Sequence, residues 1–571
     1  MIFQVKRAGC GKRQVFLAPR HPADSYDPQS FWCLIHRTQD VIPEIDPDGR
    51  ESNWNIRQSD ERRDMLKSGA PPVWEVNLNE PRHHPHSGLL ADMYQLSMAQ
   101  GYWASEAADL EASFYLAFRS NPFGGGFTLA CGLEQVCDHL ESLTFAEEDV
   151  ELLASLTGAG TPIFSADCLE RLRTFRFSAD VDAIPEGSVV FPGEPILRVT
   201  GPIADCQLVE SAILNMINFQ SLIATKAARV CHSAGDDNVI EFGLRRAQGP
   251  DGGLSASRAA YIGGCHATSN LLAAKTYGIP AVGTHGHSWV MAFDSEMEAF
   301  RAFAEAMPGN CTFLVDTYDT LRGVRRAIEV ARDLRRRGHE MVGIRIDSGD
   351  LAQLSIAARK LLDDAGFPQA RIFASNELDE HIIVSLKEQG ARIDVWGVGT
   401  KLVTAYDQPA MAGVYKLAAV RHPGGEWQPR IKISEQTAKV TIPGVLGVRR
   451  YFDGGKMLGD MVYDILAPPA EEPCMIDPLD ITQRKCFPAS ATWTELLEPV
   501  MRRGARVKPA ETLSAIRDRA AAQMAAMDPS MKRFLNPHGY PVGLEQSVHE
   551  LRSQLIMAQR DPSAHGRSRR P

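Results

Sequence analysis

Four short segments combine charged or nucleophilic side chains with glycine in a way that could grip a phosphorylated substrate. EFGLRRAQGPDGG sets Arg245 and Arg246 between an apolar run and a glycine-rich loop, where guanidinium forks can bind a carboxylate or phosphate. AVGTHGHSW carries His285 and His287 on either side of Gly286. If a strand persists through it, the two imidazoles share a face and could hold a metal, or one could act as base or nucleophile. Histidines satisfied by hydrogen bonds in the wall of the fold are the plainer alternative. VGIRIDSGDL ends an apolar strand with Arg345 and Asp347 on one face, then turns through Ser348 and Gly349 into a helix near Leu351. Carboxylates there can take Mg2+ and a helix start attracts anions, which suits a ribose carrying phosphates. Helix capping would account for Ser348 and Asp350 but not for Arg345 and Asp347. IDVWGVGTKL places Gly397 and Gly399 where backbone N–H groups can approach a phosphate closely. RIFASNE, one unit earlier, supplies Ser375 and Asn376.

These segments need strands to present them, and the flanking sequence supplies a strand and helix rhythm. VIEFG, a helical stretch near Ser257–Tyr277, AVGTHGH, a helix near Ser295–Ala306, TFLVD, a helix at Thr320–Arg337, and MVGIRID follow in order. LAQLSIAARKLLDDAG, RIFAS, LDEHIIVSLKEQG and IDVWGVGT continue it. Successive units of this length predict a parallel sheet covered by helices, and their number favours an irregular TIM-like α/β barrel. Catalytic groups of such barrels sit at the C-terminal ends of the strands, where all four segments fall.

Upstream, LLADMYQLSMAQGYW has helical spacing behind Ser87 as a possible N-cap, and SFYLAFR alternates like a strand before NPFGGGF. IADCQLVESAILNMINFQSLIATKAARV contains no Gly or Pro and predicts one long helix over 203–232. Beyond Val420 the pattern is hairpin-like and then Pro-rich. The expected organisation is an extension over 1–80, an N-terminal α+β sandwich-like domain over 81–225, the barrel over 226–420, a small C-terminal β-containing region over 421–560, and a tail over 561–571. The extension and tail read as poorly ordered by composition.

At 571 residues the chain exceeds the size of a single core. A net charge of −10 leaves no global basic field for nucleic acid or an anionic membrane surface, so any anionic ligand must be held locally. The basic start, MIFQVKRAGCGKRQVF, lacks the apolar stretch of a secretory signal. The 11 cysteines are scattered without a C-x-x-C pair, which predicts reduced thiols in a cytoplasmic setting and no structural zinc.

Taken together, LLADMYQLSMAQGYW, FRSNPFGGGFTLACGLEQV, FPGEPILRVTGP, EFGLRRAQGPDGG, VGTHGHSWV, IRIDSGDL, WGVGTKLVTA, GVYKL and KISEQTAKVTIPG resemble the nicotinate phosphoribosyltransferase family, over about Leu89 to Lys439. The resemblance implies a homodimer of type II phosphoribosyltransferase fold with active sites shared between subunits. It implies that nicotinate and phosphoribosyl pyrophosphate give nicotinate mononucleotide and pyrophosphate, coupled to ATP hydrolysis with Mg2+. Carried over residue by residue, it makes His287 the phosphorylated histidine. Tyr94 stacks on the pyridine ring, from the partner subunit. Gly397, Gly399 and Thr400 hold the 5′-phosphate, and Ser288 contacts substrate. Chemistry adds Arg345, Asp347 and Arg245 for the departing pyrophosphate, Asp347 as the Mg2+ ligand, and Arg245 also for the nicotinate carboxylate. His285 has no role in the family pattern. Nicotinamide-using relatives carry an acid in a G-T-D-T segment, whereas GGCHATSN has none from Gly263 to Asn270. An acid there would repel nicotinate's own charge, so its absence favours nicotinate over nicotinamide or quinolinate. A barrel metal-dependent hydrolase using both histidines is the reading from another class.

Overall fold

The computed structural model describes residues 87–436 and 439–560. The extension expected over 1–80 and the tail over 561–571 lie outside the described residues. Helix α1 (Met93–Trp103) starts at Asp92 rather than Ser87: the Asp92 N–H donates to Gln95 Oε1 at 2.8 Å, half of a capping box. Strand β1 (Glu111–Phe118) follows, then β2 (Asp180–Ala183) and β3 (Leu197–Pro202).

The long helix expected over 203–232 is two helices, α2 (Ile203–Leu208) and α3 (Glu210–Ala234). The reason lies in the carbonyls at the joint. Cys206 O accepts the Tyr415 hydroxyl at 2.8 Å and Gln207 O accepts Gln95 Nε2 at 2.9 Å, so both have partners outside the helix. Most of α3 is buried, which its apolar composition anticipates.

Six strands then form a parallel sheet: β4 (Asn238–Glu241), β5 (Ala267–Thr268), β6 (Thr312–Leu314), β7 (Gly343–Ile346), β8 (Arg371–Ala374) and β9 (Val395–Val398). Their order is β6-β7-β8-β9-β4-β5. The intervening helices include α4 (Gly249–Ile262), α5 (His287–Met291), α6 (Glu296–Ala306), α7 (Thr320–Arg336), α8 (Leu351–Asp364) and α9 (Glu380–Glu388). Aspartates cap three of them at the C-terminal edge of the sheet: Asp319, Asp350 and Asp379 accept N–H groups at 2.8, 3.0 and 2.8 Å. The helix expected over Ser257–Tyr277 breaks where Gly263 and Gly264 lead into β5, Gly264 having φ +115°. AVGTHGH is not a continuous strand either; Ala281 makes one parallel bridge to Thr268 and the backbone then turns into α5.

The chain next returns to the first sheet. Strands β10 (Gly413–Arg421), β11 (Gln428–Pro429), β17 (Glu498–Arg502) and β18 (Ala505–Arg506) join β1–β3 in the antiparallel order β11-β10-β1-β3-β2-β17-β18. A third sheet is built from β12 (Leu446–Asp453), β13 (Lys456–Asp464), β14 (Cys474–Ile476), β15 (Arg484–Cys486), β16 (Thr492–Glu495) and β19 (Val542–Glu545), with helix α10 (Gln546–Arg560) behind it. Its order is β15-β14-β19-β13-β12-β16. Cys474 and Cys486 face each other across β14 and β15 and are joined by a disulfide, which corrects the expectation of reduced thiols for this pair. The antiparallel pairing brings together two cysteines that are 12 residues apart in sequence. The other seven described cysteines are free.

One continuous apolar core links these three large sheets to their helices. A separate small cluster gathers Ile240, Ala267, Phe373 and Val395 with Phe242, Val282 and Val342. It draws on β4, β5, β8 and β9 and on the segment holding Ala281, so these strands share an apolar face distinct from their helix-covered face. No described helix is long and apolar enough to cross a membrane.

Candidate active site

Arg345 organises the C-terminal edge of the parallel sheet. Alternation along β7 puts its side chain opposite that of the buried Ile344. Its Nε donates to Ser375 Oγ at 2.8 Å, Nη1 to Thr284 Oγ1 at 3.1 Å and Nη2 to Asp347 Oδ1 at 3.1 Å. Ser375 Oγ donates to the same Asp347 oxygen. Three segments are thereby pinned to one guanidinium, which lies 5.7 Å above the Phe242 ring. Of the five N–H groups an arginine carries, three are used, so about two remain for an anion.

Beside Arg345, His287 opens α5 between two carboxylates. Its Nε2 lies 3.7 Å from Asp347 Oδ2 and 3.9 Å from Asp316 Oδ1, and its Nδ1 is 3.3 Å from Thr317 Oγ1. Asp316 follows β6, and its side chain is only 1% exposed. Its Oδ2 accepts the Asp347 N–H at 2.9 Å and the Ser348 hydroxyl at 2.6 Å, while its buried Oδ1 has no hydrogen-bond partner. Burial works against ionising Asp347, but the Ser375 hydroxyl and the Arg345 guanidinium outweigh it and hold the carboxyl below its usual range. Sequence reasoning passed over Asp316. The signal was present, an acid ending the apolar strand TFLVD in the manner of Asp347. Ser348 serves this carboxylate and Asp350 caps α8, which separates two roles the sequence left open.

His285 belongs to the wall. It is buried against Phe303, edge to face at 4.8 Å, and its Nε2 accepts the Leu314 N–H at 3.2 Å. Burial pushes its pKa down to about 4, so the ring is neutral. With Nε2 committed to the backbone, the two histidines do not converge on a metal. No cluster of three or more His, Cys, Asp or Glu side chains suited to a metal occurs among the described residues.

Gly397 and Gly399 are closely packed against Phe242. A Cβ at Gly397 would sit 2.7 Å from the Phe242 ring, and one at Gly399 would sit 3.2 Å from Phe242 O. Thr400 begins the turn that follows. Phe242 therefore connects this glycine loop to Arg345. Arg245 and Arg246 are exposed on a short turn, with no side-chain hydrogen bond or ion pair among the described residues. Ser288 is exposed one residue beyond His287.

Tyr94 is not brought to these groups. It lies on the exposed side of α1 with Met93 and Met98, and burial together with Glu210 and Asp92 raises its hydroxyl to about 12. The segment GGCHATSN lacks an acid, yet the fold supplies one from β4. Buried Glu241 accepts the Ser257 hydroxyl at 2.8 Å, the Thr268 hydroxyl at 2.5 Å and the Gly243 N–H. Three internal donors satisfy it, so its charge is spent on shaping the Arg245 loop.

Three family models cover most of the described chain: the nicotinate phosphoribosyltransferase N-terminal domain over residues 89–218, the nicotinate phosphoribosyltransferase family over 238–441, and its C-terminal domain over 448–552. A nicotinate phosphoribosyltransferase from Bacillus subtilis is 41% identical over 480 residues, covering 82% of this chain and 96% of the relative. A human one is 34% identical over 542 residues, covering 82% and 97%. The crystal structure of human nicotinic acid phosphoribosyltransferase superposes with a TM-score of 0.72 at 32% identity, covering 81% of this chain and 99% of that one. A nicotinate-nucleotide pyrophosphorylase from Pyrococcus furiosus shares the fold, with a TM-score of 0.61 at 22% identity, covering 80% and 99%. The models span the first sheet, the parallel sheet carrying Arg345, Asp347 and His287, and the third sheet, and the chain belongs to the nicotinate phosphoribosyltransferase family.

Proposed function

We propose that the chain joins nicotinate to the phosphoribosyl group of phosphoribosyl pyrophosphate at the edge carrying Arg345, Asp347, Asp316 and His287. The pyridine nitrogen attacks the anomeric carbon, the carbon–oxygen bond to pyrophosphate breaks, and nicotinate mononucleotide and pyrophosphate leave. Charge builds on the departing oxygens, where the free N–H groups of Arg345 stabilise it. The observation carrying this reading is that constellation at strand ends in a chain of this family.

Mg2+ suits the site, because Asp316 Oδ1 is buried without a partner and Asp347 Oδ2 faces the same imidazole. Asp347 with Asp316 would hold it, and it would neutralise pyrophosphate charge. In the ATP-coupled half of the proposal, His287 takes the γ-phosphoryl group of ATP, ADP leaves, and water later releases phosphate. Nε2 is the nucleophile, since Nδ1 rests on Thr317 Oγ1 and thereby fixes the ring. Gly397, Gly399 and Thr400 take the 5′-phosphate, with Ser288 and Arg245 on the substrate.

Two structural features belong to the same proposal. The exposed Tyr94 face fits a homodimer in which this ring serves the partner's site. The sheet closes as an irregular barrel in the cytoplasmic enzyme, supported by the bridge of Ala281 to Thr268 and the bond from Leu314 to His285. The deciding experiment supplies Mg2+, ATP and phosphoribosyl pyrophosphate with nicotinate, nicotinamide or quinolinate and follows the nucleotide product. Product from nicotinate is expected, and its absence overturns the assignment.

A further inference from the structure

The hairpin that carries Cys474 and Cys486 supplies none of the residues of the candidate site. Its second strand, β15, lies at the open edge of the third sheet, and β14 is its one strand partner among the described residues. The two strands meet at Cys474 with Cys486, Met475 with Lys485 and Ile476 with Arg484, and the first of these pairs is the disulfide. Little else fastens β15. Lys485 Nζ donates to Leu458 O at 2.5 Å, and just beyond the strand the Phe487 N–H donates to Pro473 O at 3.0 Å. Phe487 is buried and stacks on Tyr451 at 3.9 Å, so the chain is anchored there whatever β15 does. On its other side β14 is held by β19. The turn over 477–483 is closed by its own backbone, Asp477 N–H to Gln483 O at 3.1 Å, and leaves Leu479 and Ile481 exposed.

The bond is within reach of solvent, since Cys486 is exposed and Cys474 half-buried. Alternation puts Arg484 on the same face of β15 as Cys486, where its charge favours an arriving thiolate. The other described cysteines differ: six of the seven are buried, and all are free. In a reducing compartment a bond of this kind is transient or redox-sensing rather than structural, and an exposed disulfide exchanges more readily than a buried one. The hairpin also has something to release. Asp477, Leu479, Gln483 and Lys485 belong to the wall of a cavity of about 700 Å3 between the first and third sheets.

We infer that Cys474 and Cys486 form a thiol-exchange site, which fastens β15 when oxidised and releases it, with its part of the cavity wall, when reduced. The reductant is a small thiol or a protein dithiol. Its thiolate attacks Cys486 Sγ, the bond to Cys474 breaks, and Cys474 leaves as a thiolate that takes up a proton. A second thiol then attacks the mixed disulfide and returns Cys486 as a thiol. The reductant departs as its own disulfide, so two electrons and two protons pass to the chain. The inference takes only the reducing setting from the function proposed above, and its readouts need no nicotinate. The full chain is incubated in mixtures of reduced and oxidised glutathione, alkylated without denaturant and mapped by mass spectrometry. Cys474 and Cys486 should be protected in the oxidising mixture, become alkylated together in a millimolar excess of reduced glutathione, and be protected again on reoxidation. Buried Cys131, Cys206 and Cys265 should stay unlabelled throughout. Amide exchange over 477–485 should quicken by about tenfold or more on reduction, while that of α3 is unchanged. Cys474→Ser, which has no bond to break, should exchange at the reduced rate in either mixture, and the wild-type comparison decides if that variant fails to fold. A bond that survives reduced glutathione and opens only in denaturant overturns the exchange site, as does alkylation of the pair in the oxidising mixture. Equal amide exchange over 477–485 in the two states overturns the release of β15.

Discussion

The imidazole of His285 accepts the backbone N–H of Leu314 at 3.2 Å, tying the segment before α5 to the start of the edge that carries the candidate site. His287 lies two residues beyond the first of these and Asp316 two residues beyond the second, so one side-chain bond sets the spacing of the imidazole and carboxylate that face each other at 3.9 Å. His285→Ala removes the acceptor and the ring packed on Phe303. A loss of about 2–4 kcal/mol in stability is expected, together with a fall in kcat. His285→Gln, which can offer an oxygen to Leu314, should recover most of the kcat. Stability by denaturant titration and kcat at saturating nicotinate check this, and a Gln variant as slow as the Ala variant would refute the positioning role.

The same residue gives stability a pH dependence. Its folded pKa of about 4 lies below the ordinary value of 6.5, so between those pH values the unfolded chain binds the proton more readily. Stability therefore falls as pH drops from 6.5 to about 4, where the penalty is complete. At roughly 1.4 kcal/mol per pH unit, the His285 share is on the order of 3 kcal/mol. His285→Gln should flatten this slope, measured by urea midpoints from pH 4 to 7.

Asp316→Asn is expected to leave the fold intact, because an amide oxygen can still accept the Asp347 N–H and the Ser348 hydroxyl. It removes one of the two charges facing His287 Nε2. A loss of about 10²-fold or more in kcat is expected, together with a raised Mg2+ requirement in steady-state assays. Unchanged Mg2+ dependence would remove Asp316 from the metal's ligands.

Much of this site could be read from the sequence, because alternation along β7 fixes that Arg345 and Asp347 share a face, and parallel strands put their ends on one edge. What sequence could not give is which polar end pairs with which. Asp316 looks like any acid after a strand until the fold sets its Oδ1 opposite His287. His285 and His287 look equivalent around Gly286 until the backbone turns into α5 and sends one ring into the wall. The break at Val209 depends on Tyr415 and Gln95, and the disulfide depends on the register of β14 and β15, all long-range facts absent from local spacing. The glycines at 397 and 399 invite a phosphate from sequence, whereas the structure adds Phe242 as a second reason for them.

Arg345→Lys keeps the charge but cannot reproduce a fork that bonds Ser375, Thr284 and Asp347 at once. The three segments lose their shared anchor, and on the proposed reading the leaving group loses two directed N–H donors. A drop of about 10²-fold in kcat/KM for phosphoribosyl pyrophosphate is expected, with a smaller change in nicotinate KM. A variant with unaltered kcat/KM would show that Arg345 supports the edge without touching substrate.

Gly397→Ala separates the two reasons for that glycine. The new methyl would lie 2.7 Å from the Phe242 ring, so the ring must move, and it is the same ring over which the Arg345 guanidinium sits at 5.7 Å. Overpacking of this kind costs about 1–3 kcal/mol. If the loop also carries the 5′-phosphate, KM for phosphoribosyl pyrophosphate should rise by about tenfold. Combining the change with Phe242→Leu makes room for the methyl and should restore stability. Recovery of stability without recovery of KM assigns the loop to phosphate binding. Recovery of both leaves packing against Phe242 as the only reason for Gly397.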